Sequence, residues 1–291
     1  MNKIILGTVQ LGLDYGIHNK QGKPNLSESF NILNTAFEKG IRILDTAEAY
    51  GNSQEVIGQF HKKFPNKIFN IITKLSANHS LKKGQLLNHI NGNCKKLHCK
   101  QLLCYMFHNY ESFKENIHFY NEFVTAKKTG LTKKIGISLY NNEEINDIVN
   151  NYNEFDIIQI PFNLFDNESK RKKYIEKARK KGIEIHTRSV FLQGLFFHKL
   201  DMLPKKLDPL RPYLLSLKSI KKANNFNTQT LAMQYVLQKK YINYMLIGVE
   251  TESQLLKNIE SFQNIINIPH KDIDSINVEE EFLLNPSNWN S

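Results

Sequence analysis

The stretch IRILDTAEAYGNSQEVIG (residues 41–58) opens as a strand-like apolar run, stops at Asp45, and carries Tyr50 in the loop that follows. Runs of the same kind recur at KIILGT (3–8), FNIITK (69–74), QLLCYMFH (101–108), KKIGIS (133–138), FDIIQI (155–160), GIEIHT (182–187) and NYMLIG (243–248), giving eight candidate strands. Between them lie helical patterns. Phe30, Leu33 and Phe37 share a face that ends at Gly40, and capping boxes are expected at Asn141/Glu144 and Thr251/Gln254. Continuous apolar strands separated by helices describe a parallel sheet buried on both faces. Eight such units close most naturally into a single-domain (β/α)8 TIM barrel, with an open doubly wound sheet as the alternative.

The 291 residues, 41% of them hydrophobic, suffice for one large core, and one domain is expected over 1–291. Residues 188–243 form a long segment before the eighth strand, and 269–291 form a tail near the pocket. No stretch approaches the roughly 18 uncharged apolar residues of a membrane span. The opening MNKIILGTVQLG lacks the apolar core of a secretory signal, so a cytoplasmic protein is expected. Three cysteines, Cys94, Cys99 and Cys104, argue against a disulfide framework. Their spacing, even with His98 between them, fits no metal motif, and no metal is expected. The net charge of +11 comes from scattered lysines. The densest run, SKRKKYIEKARKKG (169–182), reads as a helix with Tyr174, Ile175 and Ala178 inward and its cations in water, so no nucleic-acid partner is expected. The charge would instead attract small anions to a monomer or weak homo-oligomer.

A barrel places its site at the C-terminal ends of the strands. There Asp45 ends strand two, Lys74 strand three and His108 strand four, with Tyr50 in the loop after strand two. These groups together can deliver a proton to a carbonyl oxygen. A phenol titrating near ~10 is a weak acid at neutral pH, and a buried ammonium beside it lowers that value. Lys74 is the expected cation, Asp45 its counter-charge, Tyr50 the general acid, and His108 the hydrogen-bonding partner of the substrate oxygen.

LDTAEAYGNSQEVIG (44–58) resembles the aldo-keto reductase signature, and the resemblance continues in ITK with Lys74 and MFH with His108. It extends in family order through Ser138 of KKIGIS and through Gln159 and Asn163 of IIQIPFNLFD. SVFLQGLF (189–196) and IGVETESQLLKN (247–258) carry it over nearly the whole chain. The resemblance implies a reductase that binds extended NADPH or NADH without a Rossmann domain. GTVQLG (7–12) indeed lacks the GxGxxG spacing. It implies cofactor contacts from Gly7 and Thr8 on the first strand end, Asp45, and Ser138 and Gln159 on strands five and six. Around strand seven it implies Arg188, Ser189, Gln193 and Gly194, and after strand eight Gly248, Glu250, Gln254 and Asn258. The N-terminal plug hairpin of many members is not expected, because strand one begins within a few residues of Met1.

The chain departs from the family pattern in two places. Leu139 stands where an asparagine commonly follows the serine of GIS, and Arg188 where an aromatic often stacks on the nicotinamide. A guanidinium can lie flat on a ring, although against an oxidised nicotinamide it is less comfortable. At the end of strand eight, Glu250 and Glu252 add negative charge where a 2′-phosphate would lie, so NADH is expected to serve at least as well as NADPH. Loop 13–24, segment 195–227 with Lys199 and Lys205, and tail 285–291 with Trp289 would rim a polar pocket suited to a sugar or nucleotide-sugar substrate. Two other readings are a cofactor-sensing regulatory subunit of aldo-keto reductase type and a lyase or isomerase forming a Schiff base at Lys74.

Overall fold

The computed structural model describes residues 3–17, 19 and 21–289. His18 and Lys20 of loop 13–24, and Asn290 and Ser291 of the tail, lie outside the described residues. The strands are β1 Ile4–Gly7, β2 Ile43–Asp45, β3 Asn70–Leu75, β4 Leu102–Phe107, β5 Thr132–Ser138, β6 Ile157–Pro161, β7 Glu184–Arg188 and β8 Tyr244–Gly248. Each pairs in parallel with the next and β8 returns to β1, so the sheet closes as the eight apolar runs predict. Among the described residues no strand precedes β1.

The strands form because β-branched runs pack well on a pleated, doubly covered surface. Outside, they bury residues such as Ile71, Tyr105, Ile137 and Ile158 against the helices. Inside, Ile5, Ile72, Cys104, Met106 and Ile157 fill the lumen. Polar side chains replace that packing on the last inward positions, and those positions make the site.

Capping boxes start the helices Leu26–Glu38 and Asn142–Asn151, at Asn25/Glu28 and Asn141/Glu144. At Thr251 the box is altered. Its hydroxyl accepts from the Gln254 amide, but Gln254 Oε1 accepts from Glu250 N at 2.8 Å, one residue before the cap. β2 is shorter than the apolar run: it begins at Ile43, and Arg42, whose carbonyl still accepts from Asn70 N at 2.9 Å, lays its guanidinium 4.0 Å over the Phe37 ring.

The helix Glu168–Lys180 buries Ile175 and Ala178 as its spacing predicts, and also Arg171, which is 7% exposed. That arginine does not belong to the solvated face. It grips Asp166 with Nε at 2.5 Å and Nη2 at 2.7 Å, and Nη1 donates to Asn142 at 2.9 Å. Segment 188–243 holds the turns Leu192–Phe197, Leu200–Met202 and Lys205–Leu210, then the helices Arg211–Ala223 and Thr228–Leu237. Among the described residues no helix is long and apolar enough to cross a membrane.

Candidate active site

A cleft of about 980 Å³ opens at the C-terminal mouth of the barrel. Asp45, Lys74, Ser138, Gln159 and Arg188 reach it from β2, β3, β5, β6 and β7, and Tyr50 and His108 from the loops after β2 and β4. Lys74, 1% exposed, donates to Asp45 Oδ1 and, at 3.2 Å, to Thr46 O. The other oxygen, Asp45 Oδ2, accepts from Gln159 Nε2 at 2.7 Å. One buried carboxylate therefore orients both the ammonium and an amide from the far side of the barrel. The Tyr50 ring centroid lies 5.3 Å from Lys74 Nζ, and the His108 ring stands at 86° to it with centroids 5.8 Å apart. The residues expected as a catalytic set do meet in one place.

The Tyr50 loop is clamped by backbone. A Cβ on Gly12 would stand 1.8 Å from Tyr50 O, and one on Gly51, whose φ is +51°, would stand 2.3 Å from Gly12 O. Only glycine permits this approach. Ser53 N donates to Tyr50 O at 3.0 Å and Ser53 Oγ to Thr8 Oγ1 at 2.8 Å. Thr8 is buried by these contacts and by its own bond to Asp45 O, so it supports the loop and does not line the cleft.

The electrostatics differ in one respect from the sequence argument. Burial holds the Tyr50 phenol above its ordinary value; Lys74 pulls it down, but Asp45 pushes it up and burial prevails. Tyr50 is thus a protonated phenol through neutral pH. For Lys74, burial acts downward, but the Asp45 carboxylate and Tyr50 outweigh it and its pKa is raised. A charged ammonium is a poor nucleophile, which argues against a Schiff-base role. Burial, and then the Lys74 charge, lower His108 to about 4. Its imidazole is neutral and able to donate one hydrogen bond, and its Nδ1 has no protein partner. An NMR titration should find His108 changing charge near pH 4, and a midpoint between 6 and 7 would contradict this burial.

A groove continues from this set toward β8. Arg188 donates from Nε to Ser138 Oγ at 3.3 Å, from Nη1 to Ser189 Oγ at 3.4 Å and from Nη2 to Leu139 O at 3.2 Å, with its Cζ 4.0 Å over the Tyr140 ring. Arg171 in turn donates to Tyr140 O, so the buried helix arginine supports the one in the cleft. Ser189, Leu192 and Gln193 have φ of 60°, 46° and 50°, an uncommon left-handed path for such residues, followed by Gly194 at 89°. Gln193 crosses the cleft to donate to Tyr15 Oη at 2.8 Å. Asn163 is buried and donates to Ser189 O at 3.1 Å, outside the cleft lining.

Gly7, Gly248, Glu250, Gln254 and Asn258 line the β8 end, as expected. Glu252 does not, because its carboxylate accepts from Thr35 Oγ1 at 2.5 Å. Lys257 lines the same end, whereas Lys199 and Lys205 are absent from the lining. From the tail, Asn285 to Asn288 reach the cleft; Trp289 is buried, with Nε1 donating to Leu283 O at 2.9 Å.

Sequence reasoning missed Tyr140 and Gln10. A Cβ on Gly248 would meet Gln10 Oε1 at 2.6 Å, and that oxygen is buried without a hydrogen-bond partner. A close backbone approach, an orphaned acceptor and a row of Ser, Gln and Asn donors fit an extended polar cofactor lying from β8 across to β7. Gln10 lies in GTVQLG (7–12), a stretch from which Gly7 and Thr8 are expected at the cofactor, and nothing in its pattern points to the glutamine.

The model of the aldo/keto reductase family matches residues 3–278. No curated protein matches the sequence. A solved structure described as aldo-keto reductase AKR11C1 from Bacillus halodurans, holo form, superposes with a TM-score of 0.76 at 17% identity, covering 96% of this chain and 94% of that one. The apo form of Gox0644 gives 0.71 at 17% identity over 97% and 91%. At that identity the likeness to these structures bears on the fold.

Proposed function

We propose, because the chain belongs to the aldo/keto reductase family, that it reduces an aldehyde or ketone of a small polar substrate with NADPH or NADH, or runs the reverse oxidation. The observation that carries this reading is the meeting of a protonated phenol, a buried ammonium–carboxylate pair and a neutral imidazole at one strand-end cup. The nicotinamide, when bound, supplies the hydride. Tyr50 holds the proton at Oη and gives it to the carbonyl oxygen; His108 donates to that oxygen and orients it. Lys74, fixed by Asp45, stabilises the phenolate that this transfer leaves. Ser138, Gln159, Arg188, Ser189 and Gln193 are the groups proposed to hold the nicotinamide half, and Gly7, Gly248, Gln254 and Asn258 the adenosine half. Asn109, Glu111, Asn285 and Asn288 on the rim favour a hydroxylated substrate such as a sugar. Turnover of a carbonyl panel with each cofactor, and its loss in Tyr50→Phe, tests the assignment.

Cofactor preference follows from the β8 end. Glu250 lines the groove, with Gln254 Nε2 donating to its Oε2 at 3.3 Å, so the amide is occupied by the carboxylate. A carboxylate about 4 Å from a phosphate charge costs on the order of 4 kcal/mol at an effective dielectric of ~20, and less where water screens it. Lys257 returns part of that, and with Glu252 turned away to Thr35 one carboxylate opposes it. We therefore expect NADH to serve at least as well as NADPH. Specificity constants on one substrate decide it: an NADPH preference above about a hundredfold would show a well-gripped phosphate and refute this reading.

A further inference from the structure

Two residues before Tyr50, Glu48 occupies the centre of a polar hub that the catalytic scheme does not use. Its side chain is 12% exposed. Oε1 accepts from Tyr105 Oη at 2.6 Å and Asn93 Nδ2 at 2.7 Å and meets His89 Nε2 at 2.9 Å; Oε2 accepts from Ser76 N at 3.0 Å. Its own amide donates to Lys74 O at 3.2 Å. One carboxylate thus ties the β2 loop to the end of β3, to the middle of β4 and to the helix Leu86–Lys96. Burial acts to raise this carboxyl, but the bonds from His89, Tyr105 and Ser76 outweigh it and hold it below the usual range, so it is ionised at neutral pH.

We infer that Glu48 is a positioning residue for the proton transfer. It holds the Tyr50 loop at the height of Lys74 and His108 from the side opposite the Gly12–Gly51 clamp. Gly12 and Gly51 fix the loop through its far end, at Tyr50 O and beyond. A substitution at Glu48 keeps the near end's backbone bonds, Thr46 N to Ile72 O at 2.8 Å, the position-48 amide to Lys74 O at 3.2 Å and Tyr50 N to Ala47 O at 3.1 Å, the last within the loop itself, but removes the carboxylate's ties to β4 and to the helix Leu86–Lys96. The loop could then tilt about the clamp and the position-48 amide. A donor must come within roughly 2.6–3.2 Å of its acceptor to act, and displacement by about 1 Å can cost on the order of a hundredfold in rate. Glu48 would therefore act on turnover and leave the cofactor groove, on the β7 and β8 side, unaffected.

The inference rests on the reductase reading above, and the test separates the two. The probes are p-nitrobenzaldehyde as substrate and NADH or NADPH fluorescence for cofactor affinity. If the reductase reading is wrong, the parent shows no turnover, whether it binds no cofactor or binds it as a cofactor-sensing subunit would. If it is right, Glu48→Gln, which keeps the shape but cannot accept from Ser76 N through its amide nitrogen, should lose about tenfold in kcat, and Glu48→Ala about a hundredfold. Cofactor Kd and aldehyde KM should stay within about threefold of the parent in both. The fall in kcat at constant cofactor Kd and aldehyde KM is what a merely structural loss, which would lower melting temperature and cofactor affinity together, does not produce. Tyr105→Phe provides an independent variant should Glu48→Ala not fold. It removes one donor from a barrel strand and should lower kcat about three- to tenfold at constant Kd. An active parent with kcat unchanged in a folded Glu48→Ala, or in Tyr105→Phe and Glu48→Gln together, would overturn the inference.

Discussion

Tyr50→Phe is expected to bind cofactor as the parent does and to lose about two to four orders of magnitude in turnover, the usual scale of a positioned general acid. The substitution deletes one oxygen and keeps the ring that stands at 86° to His108, so the aromatic contact and the loop clamp persist. What disappears is the only phenol proposed to deliver the proton. Because burial raises the Tyr50 pKa, the parent keeps its acid form throughout the neutral range. The variant's loss should then be nearly constant from pH 6 to 9 rather than confined to one end. A Tyr50→Phe enzyme within tenfold of the parent would exclude Tyr50 as the acid, and Tyr15, whose hydroxyl is engaged by Gln193, would be the next phenol to test.

The fold was legible because its signal is local. Most of the strands are short apolar runs with Gly, Asn or Lys at an edge, and eight such runs with helices between leave few closures. Asp45, Lys74 and His108 were legible because strand ends are where those runs stop. Other features depend on partners distant in sequence and could not be read. Arg171 sits in a lysine-rich helix and looks solvated; its burial depends on Asp166 and on the Tyr140 carbonyl, 31 residues away. The sign of the Tyr50 shift required knowing how deeply the ring is buried, not merely that a lysine lies near it. Glu252 looked like a neighbour of Glu250 until the helix Leu26–Glu38 brought Thr35 to it. The Glu48 hub joins residues 48, 76, 89, 93 and 105, a set that no periodicity links.

Removing either member of the Asp45–Lys74 pair should abolish turnover, and the two losses should differ in stability. Lys74→Met takes away the cation and leaves a carboxylate that still accepts from Gln159. Asp45→Ala leaves an ammonium 1% exposed that still donates to the Thr46 carbonyl but has lost its counter-charge, and should cost roughly 3–5 kcal/mol in urea unfolding at neutral pH. The double variant should be less destabilised than the sum of the singles, since it buries no lone charge; simple additivity would mean that the groups do not interact. The pH dependence gives a second, independent sign. In the parent the folded pKa of Lys74 lies above its unfolded value, so its contribution is fully present at neutral pH and is lost only as pH rises through that folded pKa. In Asp45→Ala the carboxylate is gone and burial, which acts downward, prevails, so the folded pKa drops below the unfolded one near ~10.4. The unfolded chain then binds the extra proton, and stability should rise with pH across that window. The gap between parent and variant, measured at pH 7 and again at pH 9.5, should therefore narrow; a constant gap would place the Lys74 nitrogen in water.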